Sequence, residues 1–142
     1  MADDRFMDTA TTGEAASALS RSTLLHLPDG LDLRFLNVTD AYWEHQAEHD
    51  ELATGRIMSV FDYTETWTWW ERHPDGDEFV HVITGDVDFL LDDGQKQRSA
   101  RLSSGDGTIV PRGAWHRAVV HRPSTMLFVT PTPARTEHRD TT

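Results

Sequence analysis

From Ile57 onward, apolar and polar residues alternate in short runs rich in Val, Ile, Phe and Trp, each run closed by Gly, Asp or Pro. A period of two turns one face of an extended strand toward a core and the other toward water, so the pattern predicts an antiparallel sheet. Strands are expected near 57–62, 65–73, 78–84, 86–91, 97–102, 107–110, 115–120 and 124–129. Upstream, STLLHL and LDLRFL predict two more, separated by the turn Pro28-Asp29-Gly30. Helical spacing occurs once, in AYWEHQAEHDELA, which follows Thr39 or Asp40 as a cap and stops at Gly55. The chain reads as all-β, an antiparallel sandwich or jelly roll with one short N-terminal helix.

The ends lack this pattern. Residues 1–20 are dominated by Ala, Ser and Thr with single apolar residues between them, and such a stretch does not repay its ordering entropy. Residues 131–142 carry two prolines and almost nothing to bury. The expected organisation is a disordered tail over 1–20, a single domain over 21–130 and a flexible C-terminal tail over 131–142.

Composition removes several functions. The chain has 142 residues, enough for one ordinary domain, and 24 acidic against 13 basic residues give a formal charge of −11. Such a surface repels nucleic acid and anionic bilayers, so neither is an expected partner. There is no cysteine, which excludes disulfides, thiolate zinc sites and cysteine nucleophiles. Any metal must rest on His, Asp or Glu. No apolar run approaches membrane-spanning length and no secretory leader is visible, so a cytoplasmic location is expected.

Strand parity then singles out four polar residues. Trp67, Trp69, Glu71 and His73 share one face, Thr68, Trp70 and Arg72 the other. The turn Pro74–Asp77 returns Glu78, Val80 and Val82 inward beside His73, and after the turn Pro111–Gly113 His116, Ala118 and Val120 point inward. A buried carboxylate or imidazole costs several kcal/mol unless it is paired or bound to a metal. With no Lys or Arg at the inward positions, a divalent cation is the simplest common partner, and the donors suit Fe, Mn, Zn, Ni or Co.

These residues resemble the two signature motifs of the cupin superfamily, whose fold is a small jelly-roll barrel. Glu71-Arg72-His73, four residues, Glu78, six residues and Gly85 fit the first motif except at its opening positions. Gly105, Pro111, Gly113 and His116 fall in register with the second, with Val120 where Asn is usual. The resemblance covers about residues 57–130 and implies metal ligation by His73, Glu78 and His116. Glu71 stands where the family has its first His. It is read as a fourth ligand, as a catalytic general base beside a three-ligand metal, or as a solvated rim residue. Two anionic ligands would cancel the charge of a divalent ion and weaken its pull on bound water.

Alternatives stand beside each reading. The His73, Glu78 and His116 set also fits polar residues hydrogen-bonded around water. Trp67 and Trp69, with Val80 and Ala118, are expected to line a substrate pocket, although large aromatics also simply fill cores. His45-Gln46-Ala47-Glu48-His49 spells an inverted zinc-protease pattern that a polar helix face produces by chance. His81 and His121 fall on outward faces, and neither a nucleophile elbow nor a glycine-rich phosphate loop is present. Trp70, Phe79, Ile83, Trp115 and Val119 also face outward, which requires cover from segment 21–55 or from a second subunit in a homodimer.

The resemblance therefore implies a metal-dependent cupin enzyme acting on a small organic molecule by metal-assisted proton transfer, of isomerase, cyclase or lyase type. Similar single-domain cupins accompany polyketide and sugar pathways. The alternatives are an Fe(II)-dependent dioxygenase and a non-catalytic ligand- or metal-binding cupin.

Overall fold

Two long strands carry the architecture. The computed structural model of the protein describes residues 7–9, 19–45 and 54–141. It contains β1 (Met7–Thr9), β2 (Thr23–Leu27), β3 (Arg34–Val38), α1 (Asp40–Glu44), β4 (Arg56–Tyr63), β5 (Trp69–Arg72) and β6 (Glu78–Asp92). β7 (Gln97–Ser103), β8 (Gly107–Val110), β9 (Trp115–Pro131), a 3₁₀ turn at Pro133–Arg135 and β10 (Glu137–Asp140) follow. The strands expected at 78–84 and 86–91 are one bent strand, β6, and those at 115–120 and 124–129 are another, β9.

Both bends lie where β6 and β9 pair with register shifts between Val82 and Val87. Gly85 has φ +121° there, and a Cβ on it would lie 2.6 Å from Ser124 Cα, so no other residue fits. Ser124 Oγ accepts the Asp86 N–H at 3.0 Å and closes the bulge. Each long strand thereby serves two layers. Antiparallel pairing runs β1-β3-β2-β4, then the second half of β9, the first half of β6 and β8. The other layer runs β7, the second half of β6, the first half of β9, β5 and β10. This is the antiparallel sandwich of jelly-roll type, folded from one sheet.

The alternation places Val80, Val82, Met126 and Phe128 of one layer against Val87, Phe89 and Ala118 of the other, with Trp67, Leu102 and Val110 beside them. Each Val, Leu, Met or Phe side chain among them contributes about 1.5–3 kcal/mol when fully buried. A second, smaller cluster of Leu24, Leu36, Val38 and Ile57 lies under Tyr42 of α1. The remainder of the expected helix, residues 46–53, lies outside the described residues. None of the described helices is long and apolar enough to cross a membrane.

Among the described residues, the outward aromatic rings of β5 and β9 are covered by arginines. Trp70 is buried under the guanidinium groups of Arg117 and Arg139, at 5.7 and 5.3 Å from its ring centre, and Trp115 lies under Arg72 and Arg139 at 4.6 and 4.5 Å. Phe79 and Ile83 stay exposed.

Both ends depart from expectation. Met7–Thr9, within the stretch read as a tail, pairs with β3; residues 1–6 and 10–18 lie outside the described residues. The C-terminal residues, expected to be flexible, return to the body. Thr132 adopts a left-handed conformation (φ 32°) with its N–H on Gly55 O at 2.9 Å, and β10 pairs antiparallel with β5. Arg139 over two Trp rings, Arg72 on Glu137 at 2.5 Å and Arg139 on Asp92 at 3.2 Å hold it there. An apolar count misses a segment fastened by backbone pairing and by cations on aromatic faces.

Candidate metal centre

Two turns bring the polar residues together. His73 ends the run from β5, and Gly113, in the turn before β9, donates its N–H to His73 O at 3.0 Å. Asp77 Oδ1 accepts the Arg112 N–H at 2.8 Å, and Arg112 Nε donates to Pro74 O at 2.7 Å. The turn entering β6 is thus laced to the turn entering β9. Glu78, the first residue of β6, lies opposite Val110, while His116 is the register partner of both Glu71 on β5 and Leu91 on β6.

Glu78, His73 and His116 are buried. His73 Nε2 lies 3.0 Å from Glu78 Oε2 and His116 Nε2 lies 3.1 Å from Glu78 Oε1. Thr130 Oγ1 donates to Glu78 Oε2 at 2.7 Å. The His116 Nδ1 contact with Ala114 O, at 3.3 Å, puts the donor hydrogen on Nδ1, since a carbonyl only accepts. In the neutral ring this leaves the Nε2 lone pair aimed at a carboxylate. His73 Nδ1 meets Thr136 Oγ1 at 3.1 Å, which permits the same tautomer.

His73 Nε2, His116 Nε2 and Glu78 Oε1 are all buried with no partner in hydrogen-bonding geometry. Donor atoms of Glu71, His73 and His116 lie within 4.8 Å of one another. Lone pairs of neutral imidazoles turned toward a carboxylate repel it, and either a proton on His116 or a shared cation removes the repulsion. Glu71, His73 and His116 therefore form a group that could hold a divalent metal ion, with the Glu78 carboxylate against both imidazoles.

Glu71 is held differently. Its Oε1 accepts from Trp69 Nε1 at 3.1 Å and lies 3.4 Å from His138 Nε2, while Oε2 lies 3.7 Å from His116 Nε2. Its side chain is 22% exposed against 2% for Glu78. A cavity of about 570 Å³ opens beside it, lined by Glu71, His73, Glu78, Trp67 and Trp69 and reaching Arg21 and Trp43.

Electrostatics follow from the contacts. Burial pushes the Glu78 carboxyl up, but the adjacent His73 and His116 outweigh it and hold it down at about 2. Burial likewise opposes ionisation of Glu71, whose contacts with His116 and His138 hold it well below the usual carboxylate range. Burial pushes the His116 imidazole down, yet the two carboxylates raise it to about 10. The Tyr63 phenol is raised by burial and then by the negative charge of Glu71 and Glu78.

The site expectations resolve unevenly. Glu71, His73, Glu78 and His116 meet. Trp67 and Trp69 stack with ring centres 5.3 Å apart and both line the cavity, Trp67 from within the core. Val80 and Ala118 do not line it: both are fully buried in the sandwich core, because inward parity does not fix depth along a strand. His121 pairs with Asp88 at 2.9 Å and His81 lies against Phe79, outside the centre. His45 lies just beyond α1, and Glu48 and His49 lie outside the described residues. Thr136 and His138 were not anticipated. Their spacing of two, repeating that of Glu71 and His73, was the available signal.

The Cupin domain family model matches residues 58–130, just over half of the chain. The chain belongs to the cupin family. Among solved structures, this cupin is similar to oxalate oxidase in complex with the substrate analogue glycolate (18% identity, 58% of this chain and 45% of that one, TM-score 0.50). It is also similar to hydroquinone 1,2-dioxygenase from Sphingomonas sp. TTNP3 with 4-hydroxybenzoate bound (20%, 54% and 59%, TM-score 0.48). A third is Fe(II)-HppE with an alternative substrate (17%, 53% and 42%, TM-score 0.46). These likenesses are of fold, and this cupin spans about half the length of those chains. No curated protein matches it.

Two outcomes follow for metal binding. In the metal-free protein the raised His116 pKa gives stability that is complete below about 6.5 and lost as pH rises through about 10. The lowered Glu78 pKa gives stability that is complete above 4.5 and lost as pH falls through about 2. A metal ion ligated by His116 would displace its proton, so apparent Zn(II) affinity should rise about tenfold per pH unit between about 6.5 and 10. Competition titrations check this, and a flat profile excludes His116 as a ligand. Thr136→Val should weaken Zn(II) binding roughly 10–100-fold while Thr136→Ser retains it, read by the same titration.

Proposed function

We propose that this cupin is a metal-dependent enzyme that moves a proton on a small organic molecule, as an isomerase, cyclase or lyase. The observation that carries the reading is the division of labour between the two carboxylates. Glu78 is shut between His73, His116 and Thr130. Glu71 is tethered through one oxygen to Trp69 and His138, and its side chain reaches the cavity.

A divalent ion held by His73, Glu78 and His116 supplies, when bound, Lewis acidity that makes a C–H beside substrate oxygens more acidic. The remaining work belongs to the chain. With its proton given up, His116 no longer holds the Glu71 pKa down as far, and the ionised Glu71 receives the substrate proton on Oε2. The Trp69 N–H and His138 keep Oε1 occupied, so that the free oxygen faces the reacting carbon. The stacked Trp67 and Trp69 wall one side of the cavity and exclude water.

The test separates base from ligand. In Glu71→Gln, bound metal measured by elemental analysis should stay near that of the parent, while solvent deuterium exchange into benzoin, an α-hydroxyketone, should fall about 10²–10⁴-fold. Glu78→Ala should lose the metal. Loss of metal in Glu71→Gln makes Glu71 a ligand instead. Turnover that consumes O₂ and requires Fe(II) makes the protein a dioxygenase, and metal binding without turnover makes it a binding module.

We further propose that a second copy covers the exposed sheet face. Ile109, Phe79, Val129, Met58, Leu25 and Phe35 are register partners in succession across six strands. Ile109 is 62% and Phe79 40% exposed. An apolar stripe of this width is the kind of surface that isologous dimers bury. Phe79→Lys with Ile109→Lys should convert a dimer to a monomer in sedimentation equilibrium; a parent protein that is already monomeric refutes the pairing.

A further inference from the structure

We propose that the cavity takes an uncharged, planar ring system bearing hydroxyl or carbonyl oxygens, and that it rejects anionic substrates. This rests on reading the cavity as the substrate site. Its wall is a chain of touching rings. Centres lie 5.1 Å apart for Trp43 and Phe61, 6.1 Å for Phe61 and Tyr63, and 5.3 Å for Tyr63 and Trp67. Trp67 stacks on Trp69 and lies 6.4 Å from the His116 ring. The wall therefore runs from the cavity's Trp43 end to the metal donors without a break. At about 570 Å³ the cavity has room for a molecule of two or more fused or linked rings.

Charge supplies the second half of the argument. Among the described lining residues the carboxylates are Asp62, Glu71 and Glu78. Apart from imidazoles, the single cation is Arg21, which contacts the Asp40 carboxylate at 3.3 Å. Glu71 and Glu78 together balance a divalent ion, so the loaded centre carries no net positive charge to attract an anion. A carboxylate or phosphonate entering this space would lose its water beside three carboxylates, and the cationic groups described along the wall, Arg21 on Asp40 and His138 against Glu71, already face carboxylates. Neutral oxygens lose far less, and the hydroxyls of Ser20, Ser22 and Ser59 also line the cavity.

Titrating the Zn(II)-loaded protein by calorimetry with β-naphthol, β-naphthoate, glucose and oxalate tests both halves. β-Naphthol should bind at least about tenfold more tightly than β-naphthoate, which has the same rings and one negative charge. Glucose and oxalate should not bind detectably. Trp43→Ala should weaken β-naphthol binding, and Ser22→Arg, at an exposed position, should raise β-naphthoate binding. The proposal is overturned if β-naphthoate or oxalate binds as well as β-naphthol, if glucose binds more tightly, or if β-naphthol does not bind. Bound zinc, measured on the same samples, keeps the two readings apart. β-Naphthol binding in a protein that takes up no zinc sinks the metal centre alone, and zinc uptake without β-naphthol binding sinks the ring preference alone.

Discussion

A buried carboxylate held between two imidazoles at the cavity wall is the constraint on which the rest of this molecule depends. Glu78 is 2% exposed and has Nε2 atoms at 3.0 and 3.1 Å from its two oxygens. Desolvating such a group costs several kcal/mol, recovered only if positive charge is held against it. A proton on His116 meets the requirement in the metal-free state, and a divalent ion meets it in the loaded state. The same geometry serves both because the Ala114 carbonyl fixes Nδ1 as the donor and turns Nε2 inward.

The requirement reaches outward through the backbone. Glu78 and His116 sit at or next to the starts of the two long strands, and the lacing of Asp77, Arg112, Pro74 and Gly113 fixes those starts relative to each other. The strands can bend from one layer to the other only because Gly85 passes against Ser124 where a side chain would collide. The core of Val80, Val82, Phe89 and Met126 then holds the strand starts at one depth. Packing, bulge and turn thus act together to keep Glu78 against His73 and His116.

Much of this was legible in the chain. Period-two alternation located the strands, and the spacing from Glu71 to Glu78 and from Pro111 to His116 picked out four side chains that lie together, because turn residues and strand parity are local properties. What escaped was non-local or not apolar. β6 and β9 read as four strands because Gly85 and the polar run around Ser124 look like turns when the partner strand is unseen. Val80 and Ala118 have the right parity but the wrong depth. β10 is polar in sequence, and its attachment depends on Trp70 and Trp115, whose exposed faces exist only after β5 and β9 have paired.

The late strand also explains how one site holds two carboxylates in different states of access. Had Glu71 been fixed by the core alone, it would sit as deep as Glu78, and the pair would differ in nothing. Instead, β10 lays His138 opposite Glu71 and carries Thr136 to His73, so one edge of the centre is built from a segment packed on the outside of the sandwich. Glu71 thereby keeps one oxygen tied and the other directed inward while its side chain stays in reach of the cavity. Glu in place of the family's first His puts an anionic side chain where the family has a neutral one. On the proposed reading, a second carboxylate at the centre offsets the charge of a divalent ion and disfavours anions in the cavity.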